Sequence, residues 1–190
     1  MWTTKQIEQK NLHDEFEIKL CSIKEYEKLK MFHYINYSYP GGYRETYGLY
    51  NKGILYGLII FSVPILELTA RNKTPYGKYL QSIKNKNMRY KLLNSQTSNI
   101  SRVIIHPSIR GIGAAKLLIG EAIKRQKRDY IEIMATMLYY GNFCPGNYNY
   151  YIKVKKKLPF ESLSKGRKGP SYNRTGSAYY KYGYVQWCNG

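Results

Sequence analysis

The chain has 190 residues, enough for one domain with a substantial core, and 43% of them are hydrophobic. Lys and Arg number 31 against 12 Asp and Glu, a net charge of +19, which favours anionic partners: nucleic acid, an anionic membrane surface or a phosphorylated cofactor. No run of about 18 apolar residues reads as a membrane span, no apolar segment near the N-terminus reads as a secretory signal, and three scattered cysteines, Cys21, Cys144 and Cys188, argue against a disulfide framework. A reducing, cytoplasmic setting is expected (the host cytoplasm, if a phage encodes the chain).

Residues 1–15 read as a polar arm or short helix. Glu15 to Ser22 alternates apolar and polar and predicts a first strand. Ile23, Tyr26, Leu29 and Phe32 or His33 then recur at helical spacing through Ile35, with Ser22 as N-cap and Glu25 as its capping-box partner. "SYPGGYR" breaks that helix. Glu45 to Pro64 predicts a β-hairpin around Asn51-Lys52-Gly53. Residues 71–99 form a basic excursion, partly helical, in which Arg71, Lys73, Lys78, Lys84, Lys86, Arg89 and Lys91 occur with no acid between them.

Ile100 to Ile105 predicts a short buried strand, Ala114 to Lys127 a helix, and Tyr130 to Leu138 the next strand, which together suggest a βαβ unit. On the helix, Lys116, Gly120, Lys124 and Lys127 fall on one wet stripe. From Tyr139 to Tyr172 the composition turns to Tyr, Gly, Asn and Lys, and Gly183 to Cys188 reads as the last strand.

Between the strand and the helix lies Arg110-Gly111-Ile112-Gly113-Ala114-Ala115. Small residues let a ligand approach the backbone, and the first N–H groups of a helix have no internal partner and sit at the positive end of the dipole. The combination predicts a diphosphate site, to which Arg110 adds charge. A tight turn into a buried helix would have the same spacing. A Walker loop needs Gly-Lys-Ser/Thr, which the chain lacks, and a dinucleotide fingerprint needs a third glycine and a later acid.

The stretch resembles the signature of the GNAT acyltransferase superfamily, Gln/Arg-x-x-Gly-x-Gly/Ala, with Arg110, Gly113 and Ala115 at the matching positions and His106-Pro107 closing the strand. The later "NRTGSAYYKYGYVQW" is similar to the family's Asn…Ala…Phe-Tyr…Gly-Phe segment, about one residue short before Gly183. The resemblance implies an α/β fold with a mixed central sheet splayed around an acyl-CoA site. It implies that the amides of Arg110, Gly111, Ile112, Gly113, Ala114 and Ala115 hold the diphosphate of acetyl-CoA or another acyl-CoA. Val103, Ile104 and Ile105 would pair with the pantetheine arm, and Tyr180 or Tyr179 would protonate the departing thiolate.

"FHYINYSYPGGYRETYGLYNKGILYGLIIFSVP" resembles phage Mom-type DNA-modification proteins, and Ser101 to Gly113 resembles GNAT modules found beside some ABC-type ATPases. His33 and Tyr34 are candidates for the acceptor site, or a packing pair. His106 reads as a strand-end residue. For the general base, Glu132 on its predicted strand is the first candidate, with Glu45 and Glu67 behind it; a water relay needs none of them. No metal-ligand spacing is present, and Cys144 as a nucleophile lacks a nearby histidine.

Residues 139–172 interleave Tyr148, Tyr150 and Tyr151 with Lys153, Lys155, Lys156, Lys157, Lys165, Arg167 and Lys168. Cations neutralise phosphates and tyrosines stack on bases, so this segment is the expected nucleic-acid contact, with 71–99 as a second wall; the plain alternative is a solvated loop. The expectation is one GNAT-like domain over 1–190, with basic insertions near 71–99 and 139–172. Its expected activity is acyl-CoA-dependent N-acyl transfer, with nucleic acid, DNA or RNA, as acceptor. The alternatives are a protein or small-amine acetyltransferase and a non-catalytic nucleic-acid-binding module.

Overall fold

The computed structural model describes residues 12–33, 39–135, 154–157 and 181–188. In chain order the elements are α1 (Leu12–Glu15), β1 (Glu17–Cys21), α2 (Tyr26–Leu29), β2 (Tyr43–Asn51), β3 (Ile54–Ser62), α3 (Pro75–Ser82), α4 (Lys86–Gln96), β4 (Thr97–Ile105), α5 (Ala114–Lys124), β5 (Tyr130–Ala135), β6 (Val154–Lys157) and β7 (Lys181–Cys188). They fall into two compact units, one of residues 1–61 and 102–126, the other of residues 62–101 and 127–190.

In the first unit β1, β2, β3 and the end of β4 lie side by side in that order. β1 runs antiparallel to β2, from Glu17 opposite Tyr50 to Cys21 opposite Thr46. The predicted hairpin is present: Lys52 and Gly53 both take positive φ, 47° and 79°, the geometry whose twist matches that of paired strands. Strand alternation sends Leu58 and Ile60 to one face, where they pack with Tyr26, Leu29 and Ile104. On the other face Phe61 meets the Tyr47 ring edge-on at 6.0 Å, and α5 packs there against β1 and β2. A fully buried aliphatic side chain contributes about 1.5–3 kcal/mol, and α5 buries Leu117, Leu118, Ile119, Ala122 and Ile123.

The helix expected from Ile23 to Ile35 is instead a 3-10 turn, the four residues of α2, and a second 3-10 turn. Ile23, Tyr26, Leu29 and Phe32 are spaced by three, the period of the 3-10 form. Ser22 does cap the start, accepting from the N–H of Lys24 at 3.2 Å. The Glu25 carboxylate does not close a capping box with it but takes Lys28 Nζ at 2.9 Å.

In the second unit the start of β4, then β5, β7 and β6, lie side by side. β4 and β5 are parallel neighbours, so the predicted βαβ unit is present, and their register runs from Thr97 opposite Tyr130 to Ile100 opposite Ile133. β5 pairs antiparallel with β7 through Ala135 opposite Gly183, and β6 with β7 through Lys157 opposite Lys181. The stretch 71–99 is mainly two helices. Thr74 caps α3 from its side chain, with Pro75 at the first helical position, and Asn85 caps α4. Tyr76, Leu80 and Leu93 make the core of this unit.

Candidate phosphate-binding loop

β4 ends on buried Ile104 and Ile105, with Val103 half-buried. His106 then turns the chain. Its N–H donates to the Tyr56 carbonyl at 2.7 Å, extending the ladder to β3, and its Nδ1 accepts from the Ser108 N–H at 3.3 Å, capping the 3-10 turn Pro107–Ile109. The imidazole sits edge-on to Phe32 and Tyr56, with centroids at 4.8 and 5.9 Å. His106 is a strand-end residue, as the sequence reading has it.

Arg110 fixes the loop. Its Nε donates to the Ile105 carbonyl at 3.0 Å and its Nη2 to the Phe32 carbonyl at 3.1 Å. Its own N–H goes to the Pro107 carbonyl at 3.3 Å. The expectation for Arg110 is thus altered: its N–H is occupied, and its guanidinium holds main chain while keeping positive charge at the loop.

Gly111 and Gly113 both adopt positive φ, 88° and 94°, which strains a residue with a Cβ. Gly113 is the N-cap of α5, so no side chain caps that helix. Among the described residues the main-chain N–H groups of Gly111, Ile112, Gly113, Ala114 and Ala115 have no hydrogen-bond partner. The first turn of α5 carries no acid. Around Gly111 there is open space, and the nearest atom to a Cβ at Gly113 would be Leu12 Cδ1 at 3.6 Å. Donors left open at a helix start sit at the positive end of its dipole, where an anion is favoured.

Phe32 and His106 also line a cavity of about 450 Å³ with Lys28, Tyr50 and Leu55. His33 closes the second 3-10 turn, half-buried, its N–H on the Lys30 carbonyl at 3.0 Å. Tyr34 lies outside the described residues.

The general-base candidates are placed unfavourably for that role. Glu132 is wholly buried and ion-paired with buried Arg71, whose Nε lies 3.0 Å from Oε2 and whose Nη2 contacts Oε1. A carboxylate spent on a buried guanidinium holds structure, so Glu132 does not face an open cleft and leaves the catalytic set. The same pairing removes Arg71 from the expected basic wall. Glu67 is exposed and accepts from Tyr90 Oη at 2.7 Å and Arg89 at 3.1 Å; the Tyr90 hydrogen bond leads in holding its carboxyl below the usual range. Glu45 accepts from Gln126 at 2.8 Å and from Tyr47 Oη at 3.0 Å. Burial, then that bond to Glu45, raises Tyr47 to about 12.

Lys155, Lys156 and Lys157 fall on β6 rather than in a loop. Lys153, Lys165, Arg167, Lys168, Tyr148, Tyr150, Tyr151, Cys144, Tyr179 and Tyr180 lie outside the described residues. No helix among those described is long and apolar enough to cross a membrane, and no group of three His, Cys, Asp or Glu gathers there. The sequence reading missed the Arg110–Phe32 link. No local pattern signals it, because the acceptor is a carbonyl 78 residues away.

No family model and no curated protein matches the chain. Solved structures do. The spermidine/spermine N-acetyltransferase of Vibrio cholerae aligns with a TM-score of 0.51 at 9% identity, over 94% of this chain and 95% of that one. The ribosomal-protein-S18-alanine N-acetyltransferase of Escherichia coli gives 0.51 at 8%, over 91% and 93%. A Salmonella typhimurium protein crystallised with its cofactor acetyl-CoA gives 0.50 at 10%, over 93% and 95%. At such identities the likeness is one of fold, and it covers nearly the whole of each chain: this chain has the α/β fold of the GNAT N-acetyltransferases, a mixed sheet flanked by helices.

Proposed function

We propose that the chain is an acyl-CoA-dependent N-acyltransferase that moves an acetyl group to an amine of a small molecule or a protein. The observation that carries this reading is the row of unpartnered N–H groups from Gly111 to Ala115, placed after β4 and opening α5. The fold supports it, and so do the substrates in the neighbours' names, polyamines in one and a ribosomal protein in another.

In this reading acyl-CoA supplies an activated thioester. The amides of Gly111 to Ala115 bind its diphosphate, and Arg110 holds the loop rigid. β4 pairs with β5 only as far as Ile100, so main-chain groups of Val103 to Ile105 are proposed to pair with the extended pantetheine arm. The acceptor nitrogen attacks the thioester carbonyl; the C–N bond forms, the C–S bond breaks, and the thiolate takes a proton from Tyr180 or Tyr179. His33 is the proposed contact to the acceptor. With Glu132 buried in its ion pair, the amine proton leaves through water.

A second reading places the acceptor amine on a nucleic-acid base, as the Mom-type resemblance implies. Exposed cations on α3 and α4 favour it.

Calorimetry with acetyl-CoA tests the first reading. Micromolar binding by the natural chain, lost in Gly113→Glu, which puts an anion and bulk among the five donors, is the expected result. A natural chain that binds no acetyl-CoA overturns it. Acetylation of spermidine or an amino-terminal peptide, set against acetylation of DNA or tRNA, then separates the acceptors.

A further inference from the structure

From Leu68 to Gly120 the chain carries no acid, and within that span the structure sorts the cations. Arg71 is buried against Glu132. Arg89 is engaged with Glu67 and Gln81, at 3.1 and 3.3 Å. Lys73, Lys78, Lys84, Lys86 and Lys91 are all exposed, and among the described residues none of them pairs with a carboxylate. A face kept merely soluble mixes both signs evenly; here exposed Glu67, held by Arg89 and Tyr90, stands against five exposed lysines.

Aromatic surface lies among the lysines. Tyr79 on α3 is 57% exposed. The Tyr90 ring lies 5.5 Å from Lys86 Nζ and 5.5 Å from the Arg89 guanidinium carbon. The scaffold under them is fixed: both helices are capped, Gln81 bridges Asn72 at 3.1 Å and Arg89 on α4, and Tyr76, Leu80 and Leu93 are buried beneath.

From this we infer that the outward side of α3 and α4 is a docking surface for single-stranded nucleic acid, with lysines on its phosphates and Tyr79 open to a base. Cations spaced along a rigid element meet a regularly charged backbone, and an exposed ring stacks on any base. A membrane-surface helix would need a broad apolar face, and the exposed positions of α4 are Lys86, Asn87, Met88, Lys91 and Ser95. The surface stands whether or not the acetylated amine belongs to nucleic acid.

The test is fluorescence anisotropy of a labelled single-stranded oligoribonucleotide with the full chain, titrated with salt and without acyl-CoA. In the variant carrying Lys78→Gln, Lys84→Gln and Lys91→Gln, affinity falls at least about tenfold and the slope of log K on log salt shrinks by about 2, near 0.7 for each phosphate no longer neutralised. Lys52→Gln, on the β2–β3 hairpin, leaves both unchanged. Tyr79→Ala weakens binding without changing the slope. Equal losses from Lys52→Gln, unchanged binding in the triple variant, or binding that responds only on phosphatidylserine vesicles would each overturn the inference. Circular dichroism establishes that the triple variant is folded. Acetyl-CoA calorimetry on it reports the phosphate loop separately, so failure of one idea is distinguishable from failure of the other.

Discussion

Arg71 and Glu132, 61 residues apart, form a wholly buried ion pair in which the guanidinium also donates to the carbonyls of Ile65, at 2.7 Å, and Leu66, at 3.3 Å. The pair fastens the segment after β3 to the middle of β5. Because both charges are removed from water, losing either partner leaves the other uncompensated.

Glu132→Gln should therefore lower stability by about 3–5 kcal/mol in urea titration. Joint replacement, Arg71→Met with Glu132→Leu, should recover most of that. Any acetyl-transfer rate per folded molecule should be unaltered by Glu132→Gln. A fall of a hundredfold or more with stability intact would restore Glu132 as a base.

At the loop, Gly111→Ala and Gly113→Ala should each cost about 1–2 kcal/mol, because the left-handed backbone is strained by any Cβ. Space is not the cause, since a Cβ at Gly111 meets nothing within 4 Å. Acetyl-CoA affinity should fall with stability, as relaxation of φ turns the five N–H groups apart. Unchanged affinity in both variants would separate the loop from the ligand.

Gly77 gives a different kind of sensitivity. A Cβ there would lie 1.9 Å from the carbonyl oxygen of Arg71, which is backbone and cannot swing away. Gly77→Ala should destabilise by about 1–3 kcal/mol, through overpacking rather than torsion. Thr74→Ala should cost about 1 kcal/mol by removing the cap on the Gly77 N–H, bonded at 3.0 Å. Thermal melts of the two variants check this.

Alkaline pH should weaken the fold through its buried tyrosines. Burial, foremost, raises Tyr76 and Tyr47 to about 12 from the ordinary 10.0. The unfolded chain releases these protons near 10.0 and the folded chain only near 12, so above 10 the unfolded state binds fewer protons. Their contribution is fully present below pH 10 and is lost as pH rises towards 12. Melting temperature followed through this window should drop, and Tyr76→Phe should flatten the slope. Phenolate absorbance from every tyrosine of the folded chain near 10.0 would contradict it.

The parts of the fold that were legible in the sequence are those set by local rules. The hairpin announced itself by Lys52-Gly53 between apolar runs, and the strand–loop–helix around Arg110 by two glycines before an apolar stripe. The helices α3 and α4 were only half legible, since Tyr76, Leu80 and Leu93 are few apolar anchors among many lysines; Thr74-Pro75 and Asn85 were the usable cap signals. Glu132 misled because an acid in an apolar strand looks functional. The same oddity, on a core-facing position between Ile131 and Ile133, equally marks a buried partner, and nothing in sequence spacing names Arg71 as that partner.

The row of donors from Gly111 to Ala115 has one more consequence, for how such a loop changes over generations. What it offers a ligand is spelled in torsion angles rather than in side chains. Ile112 is 51% exposed, and exchanging it touches none of the N–H groups. Drift can rewrite most of the letters here, provided that the residues at 111 and 113 keep their left-handed turns. Such a loop is inherited as a shape.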